Sequence, residues 1–237
     1  MKYAVLLLAL MFVGCGESST NEGGSVEDID GNRYEIVKIG SQYWFKSNLK
    51  VSKYRNGDNI PTGLTKSEWE NTTSGGYAIY EDEQKNDSLY GKLYNYYAVT
   101  DSRGLCPTGW HVPSDGEWKV LTRYLDPSAD TNLDILTAHT IAVGALKSKS
   151  TQPTPGGWAS PNVGATNSSG FTALPGGLRN FDGDFFNVSS YGYWCSSSWS
   201  RSGTWYRWLT DYDTSAVINN TNYSRGSFGF SVRCLKD

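Results

Sequence analysis

GLCPTGWHVPSDGEW, Gly104 to Trp118, decides how this chain is read: a cysteine, a proline and glycine turn, a tryptophan of the kind that fills a core, and then a helix start. Ser114 and Glu117 stand at the S-x-x-E spacing of a capping box, in which each side chain satisfies a backbone group left over at a helix N-terminus. Trp118, Leu121 and Leu125 recur on one face, so the spacing predicts an amphipathic helix after Pro113. The counterpart of this stretch is GFSVRC, Gly229 to Cys234, at the far end of the chain. Together the two segments describe a fold whose last strand is tied back to its first long helix.

Working outward, IDGNRYEIVKIGSQYWFKSNL, Ile29 to Leu49, reads as strand, turn, strand. Asp30, Gly31 and Asn32 form a turn, Tyr34, Ile36 and Lys38 alternate against Glu35, Val37 and Ile39, and Gly40 with Ser41 reverses the chain into Tyr43, Trp44 and Phe45. Lys50 to Gly76 is polar and turn-rich, with one short helix expected near Lys66 to Glu70. LYGKLYNYYAV, Leu89 to Val99, is dense in rings and expected to be buried. A second helix is expected over Ala138 to Lys147 from the spacing of Ala138, Ile141, Ala142, Ala145 and Leu146. Beyond Ser150, glycine, proline, serine and aromatics predict short strands and long loops.

The chain opens MKYAVLLLALMFVGCG. Its apolar run falls short of the roughly 20 residues that cross a bilayer, so residues 1–14 read as an export signal and not as a permanent span. A small residue directly before Cys15 looks like a lipobox, with Cys15 the expected lipidation site and the outer membrane the expected destination. Residues 15–27, rich in Gly, Ser, Thr, Asn and Glu, read as a flexible tether, and residues 28–237 as one domain.

Nine tryptophans and sixteen tyrosines imply a core of large rings and irregular turns in place of long amphipathic helices. The net charge of −3 and the scatter of basic residues argue against a nucleic-acid partner. Besides Cys15 the chain holds Cys106, Cys195 and Cys234, an odd number that permits at most one bridge. The pairing expected is Cys106 with Cys234, which would close a long loop and contribute about 5 kcal/mol in the chain-entropy account. Cys195, in GYWCSSS, reads as a small packed thiol. Zinc is poorly supported, because only His111 and His139 are present and no C-x-x-C occurs.

The ordered succession YWFKSNL, LYGKLYNYYAV, GLCPTGWHVPSDGEW, GALKSKS, ALPGGLRN, GYWCSSS and GFSVRC resembles the Fibrobacter succinogenes major paralogous domain, a family of exported and lipid-anchored bacterial proteins. That family is similar in turn to the C-type lectin-like fold and its formylglycine-generating branch. The resemblance implies an α+β chain with two helices packed on small twisted antiparallel sheets, long irregular loops and termini brought together, a layout into which a Cys106–Cys234 bridge fits. Cys195 stands where the family suggests another aromatic residue.

What the resemblance implies for function is a non-enzymatic binding module of the cell envelope, held to the membrane only by its lipid. Its expected partner is a glycan or surface polymer; the alternative is a structural or adhesive role, or a variable display receptor, with another envelope protein as partner. Formylglycine-generating relatives work through a cysteine pair and copper, and one spare thiol does not supply that, so an enzyme is the remote alternative. The binding residues expected are Trp199, Tyr206, Tyr212, Asn187 and Arg207, within the aromatic and polar stretch from Phe181 to Tyr223, because flat rings beside amides and hydroxyls suit sugar faces and edges. Trp194, Trp205 and Trp208 read as core. No resident cofactor is expected beyond calcium, for which Asp182, Asp184, Asp211 and Asp213 form two D-x-D pairs. Solvated turns are the competing reading, since the E-P-N and W-N-D triplets of calcium-dependent lectins are absent. His111 reads as a satisfied structural imidazole and not as a general base.

Overall fold

A computed structural model describes residues 24–131, 136–139, 141–200, 203–220 and 226–237. Residues 1–14, expected to be an export signal, Cys15, most of the stretch read as tether and Tyr223 lie outside the described residues. The first strand, β1 (Ser25–Glu27), already pairs with β2 (Arg33–Ile39), so the sheet begins inside the stretch read as tether. Asp28 makes this possible: its carboxylate accepts the backbone N–H groups of Asp30 and Asn32 and the hydroxyl of Tyr34, closing the intervening turn.

The β2–β3 hairpin forms as the alternation requires, with β3 (Gln42–Phe45) paired Ile36 to Phe45 and Val37 to Trp44. Gly40 turns the chain at φ 62°, and the Tyr124 ring lies against it where a side chain would collide. Both faces of the hairpin are covered. Tyr34 and Phe45 enter one aromatic cluster with Tyr94, Trp110, Tyr193 and Phe230, while Ile39 and Trp44 enter a second with Trp118, Trp158, Phe171 and Trp194.

Further along lie α1 (Lys66–Asn71), β4 (Tyr77–Ala78), α2 (Gln84–Tyr90), β5 (Leu93–Tyr94), α3 (Tyr96–Val99), β6 (Trp110–His111) and α4 (Asp115–Leu125). The resemblance implies two packed helices; the described residues hold five. α1 is the short helix expected near Lys66 to Glu70, started by a Thr65/Glu68 capping box; α2 and α3 are additional, and the Asn95 side chain accepts from Ala98 at the start of α3. In α4 the Ser114/Glu117 box is formed, and Trp118 and Leu121 are buried.

The second helix is shorter than expected. Leu136–His139 is a strand, β7, and only Ile141–Leu146 is helical, as α5, which packs on α4. Pairing decides this, because β7 runs antiparallel to a later strand, Ser215 to His139 through Ile218 to Leu136, and sheet partners override the helical spacing of alanines.

The remaining strands are β8 (Gly176–Arg179), β9 (Phe185–Val188), β10 (Tyr191–Ser200), β11 (Gly203–Thr210), β12 (Ser215–Asn220) and β13 (Leu235–Lys236). One five-stranded sheet has the order β1-β2-β3-β13-β6 and one six-stranded sheet the order β7-β12-β11-β10-β8-β9; β4 and β5 form a ribbon. The class is α+β, with predominantly antiparallel curled sheets. Cys106 and Cys234 are bonded, fastening the segment before β6 to the segment before β13. Cys195 is a free, buried thiol, and burial raises its pKa far above the ordinary thiol value.

Candidate functional site

The β10–β11 hairpin carries the aromatic density noted in the sequence, and its register sorts the rings. Tyr193 stands opposite Trp208 and Cys195 opposite Tyr206, so Tyr191, Tyr193, Tyr206 and Trp208 share one face. Trp194, Arg207 and Leu209 share the other. Side chains alternate along a strand, so YGYWC and YRWL each send one set of side chains toward the first aromatic cluster, with Tyr193 and Cys195, and the other toward the second, with Trp194 and Leu209.

On the first of these faces the rings form a strip that is buried at Tyr193 and Phe230, half-buried at Tyr191, Tyr206 and Trp208, and exposed at its Tyr212 end. Tyr212 meets Tyr191 at 5.9 Å between centroids, Tyr191 stacks on Tyr193 at 5.7 Å and tilts against Trp208 at 5.4 Å, and Tyr206 stacks on Phe230 at 4.8 Å. Toward the hairpin tip, beyond a bulge between Cys195 and Trp199, Trp199 packs on Tyr96 at 4.8 Å. From Tyr191 to Trp199 the strand runs roughly 25 Å at the usual rise. Tyr212 is 56% exposed, Trp199 44% and Phe186 45%. The hydroxyls of Tyr191 and Tyr212 are hydrogen-bonded to each other. Burial, with the Tyr212 hydroxyl second, pushes the Tyr191 phenol up to about 12, so the strip is neutral at physiological pH. At its edge Asn187, at φ 68°, donates from its amide to the Tyr193 hydroxyl at 2.9 Å.

Of the residues expected to bind, Trp199, Tyr212 and Asn187 are exposed on or beside this strip. Tyr206 belongs to it but is half-buried in the stack with Phe230, so its surroundings are not the polar ones suggested by its sequence neighbours. Arg207 is turned away: it is buried on the opposite face, where its guanidinium meets the Asp115 carboxylate at 2.5 Å and the Asp115 carbonyl at 3.2 Å. It anchors the sheet to α4. Trp194 is core, as expected, whereas Trp205 and Trp208 are only half-buried. Tyr191 and Trp208 are the strip members whose placement the composition alone did not separate; the period-2 pattern was the available signal.

The four aspartates are not brought together. Asp182 accepts the Asp184 backbone N–H at 3.0 Å and Asp184 pairs with Lys66, at the turn leading into β9. Asp211 is buried beyond the other end of β9, its N–H bonded to Ser190 at 3.0 Å. There, with Asp213, it lies in the field of Lys147, a buried amine whose pKa burial lowers to about 8 against the pull of those two carboxylates. Among the described residues no group of three or more His, Cys, Asp or Glu side chains is arranged to hold a metal ion.

His111 lines a cleft of about 270 Å³ together with Asp101 and Ser197, but both ring nitrogens are engaged, Nδ1 with Asp237 at 2.6 Å and Nε2 with Glu117 at 2.9 Å. An imidazole clamped between two carboxylates acts as a strut.

Comparison with known proteins agrees with this description on one point. No curated protein matches the chain, and no solved structure matches it. A family model does, that of the Fibrobacter succinogenes major domain, over residues 37–236. That span takes in the second aromatic cluster, the first except Tyr34, the disulfide and the whole ring strip, and the chain belongs to the Fibrobacter succinogenes major domain family.

Proposed function

We propose that this protein is a non-enzymatic binding module of the cell envelope, lipid-anchored through Cys15, with a C-type lectin-like arrangement, and that the β10–β11 strip contacts a glycan or related surface polymer. The single observation that carries the reading is the exposed end of the strip: Tyr212 in contact with the half-buried Tyr191, with phenol hydroxyls and the Asn187 amide beside it, and a second exposed ring, Trp199, toward the hairpin tip. Apolar C–H faces of a sugar stack on rings while hydroxyls at its edge need paired donors and acceptors. A long, shallow strip suits an extended polymer better than a small molecule, which binds in an enclosing pocket. The engagement of His111 and the inert burial of Cys195 support a binding role over a catalytic one. Placement in the outer membrane is part of this proposal and rests on the sequence around Cys15.

The test is a glycan and polysaccharide binding screen on the purified protein, run with calcium and with chelator. Binding that Trp199→Ala and Tyr212→Ala reduce without lowering the melting temperature is the expected result. A blank screen accompanied by self-association would favour the structural or adhesive role instead. Chelator-sensitive binding would reinstate the aspartates, and insensitive binding would dismiss them.

A further inference from the structure

Beside the strip, across β9, lies an open cavity of about 330 Å³ lined by the Tyr80–Tyr90 segment, the loop containing Gln152 and Gly156, and the end of β9 at Val188 and Ser189. Its volume is near the lower end of small-molecule sites, enough for one or two sugar rings. The strip and the cavity meet at one short piece of chain. Asn187 reaches the Tyr193 hydroxyl on the strip side, while the Ser189 hydroxyl lies 3.4 Å from the Gln152 amide nitrogen on the cavity side. Asn187 and Ser189 both have φ 68°, and across the cavity Glu81 and Asp82 have φ 54° and 52°. Such left-handed conformations cost non-glycine residues on the order of 1 kcal/mol each and tend to gather at ligand sites.

The lining has a definite chemical preference. Glu81 and Glu83 contribute carboxylates, and the one cationic side chain, Lys85, is paired with Glu83. Asn86 donates one amide N–H to the Tyr80 carbonyl at 2.9 Å and Gln152 donates to the Gly157 carbonyl at 2.8 Å, which leaves both amide oxygens as acceptors for a ligand. With two carboxylates against one ammonium the lining carries a net negative charge, beside the hydroxyls of Tyr80, Tyr90 and Ser189. Leu89, Pro155 and Val188 supply apolar wall.

We propose that this cavity receives a single sugar unit that is neutral or amine-bearing, from the same polymer that lies along the strip, and excludes uronate or sulfated units. Resting on the glycan reading, this inference adds its specificity. Hydroxyls and an ammonium donate to the carboxylates and amide oxygens; an anionic substituent would meet like charge with no free cation in the lining to offset it.

The test measures calorimetric affinities of the full protein for three hexamers: of glucosamine, of glucose and of galacturonate. Glucosamine and glucose hexamers are expected to bind at least about tenfold tighter than the galacturonate hexamer, the loss expected when one charge-assisted hydrogen bond becomes a repulsion. Glu81→Gln with Glu83→Gln should weaken the glucosamine hexamer about tenfold and the glucose hexamer much less. Leu89→Trp, which fills the cavity, should weaken both in a variant whose melting temperature is retained. Equal or tighter binding of galacturonate, or unchanged affinity in a folded Leu89→Trp variant, overturns the proposal. If hexamer binding is lost in Tyr212→Ala yet persists in every cavity variant, the glycan reading stands and the cavity assignment falls. If no hexamer binds, both fall.

Discussion

Replacing Arg233 with methionine should be strongly damaging although it touches no proposed binding residue. The guanidinium is fully buried and has no carboxylate beside it; its partners are neutral acceptors. Nε donates to Asn48 Oδ1 at 2.7 Å, Nη1 to the carbonyls of Phe45 at 3.1 Å and of Phe171, and Nη2 to the Thr172 carbonyl at 3.0 Å, while the plane lies 4.4 Å from the Phe171 ring centroid. Burial lowers the pKa to about 9, which leaves the group protonated at neutral pH. Methionine keeps much of the stem volume and removes every donor. Asn48 Oδ1 still accepts from the Trp194 indole at 3.0 Å, but three backbone carbonyls lose this donor. At about 1 to 3 kcal/mol for each buried group left unmade, less what is recovered by no longer burying a charge, the net loss is on the order of 3 to 4 kcal/mol. At about 2 to 4 °C per kcal/mol for a chain of this size, that is about 10 °C in melting temperature. Urea titration of both forms checks it, and a loss below about 1 kcal/mol would refute the premise that this cation joins the loops. Arg233→Lys should recover little, because a point ammonium cannot reproduce the planar fork of donors.

Burial works against the charged form of His111, yet Asp237 and Glu117 outweigh it and hold its pKa above the ordinary 6.5. A raised folded value contributes stability that is complete below about 6.5 and fades as pH rises through the folded pKa; the lowered Glu117 value contributes above about 4.5 and fades on acidification. Melting temperature should thus decline from pH 6 into the alkaline range, and His111→Gln should flatten that slope; an unchanged slope would show the clamp to be inert. Loss of the Cys106–Cys234 bridge, 128 residues apart, should cost about 3 to 5 kcal/mol, read by denaturant titration of the double serine variant. Cys195 should resist alkylation in the native protein and react on unfolding; rapid native labelling would contradict its burial. Tyr206→Ala should lower stability by about 2 kcal/mol through the lost Phe230 stack, whereas Tyr212→Ala should stay within about 0.5 kcal/mol.

The elements most legible in the sequence were those fixed by local chemistry. The capping box at Ser114, the Gly40 turn and the strand alternation of Tyr34 to Ile39 each specify geometry within a few residues, and each is formed. The element misjudged, Ala138 to Lys147, depends on pairing with β12, which enters the chain far later. The site divides in the same way. Exposure of Trp199 and Tyr212 followed from polar neighbours, but Arg207, a charge among rings, is buried, because its partner Asp115 lies on α4, 92 residues away. The cavity beside β9 had no sequence signal, since it is assembled from three separated segments.

The motifs that carry the family resemblance have a physical explanation that is architectural. A fold with so many loops places carbonyl groups in its interior that no helix or sheet ladder pairs, and buried polar groups must find partners. Lysine and arginine supply several donors from one side chain, and the motifs use them in that way. Lys147 of GALKSKS donates to the carbonyls of Val163 at 2.7 Å and Thr210 at 2.9 Å. Arg179 of ALPGGLRN donates to Gly183 at 3.1 Å and Leu64 at 2.8 Å and lies over the Trp69 ring at 4.4 Å; Arg233 of GFSVRC holds three more carbonyls. In a sequence these residues pass for scattered surface charge, because nothing local distinguishes a cation that faces water from one that faces a loop. Their burial also separates scaffold from recognition. Lys147, Arg179 and Arg233 secure the loops from within, whereas Trp199, Tyr212, Asn187 and the cavity's Glu81 stand on the surface that this framework presents. Substitution at those surface positions can therefore change what is bound while leaving the framework intact, and substitution of the buried cations should remove the fold and the binding together.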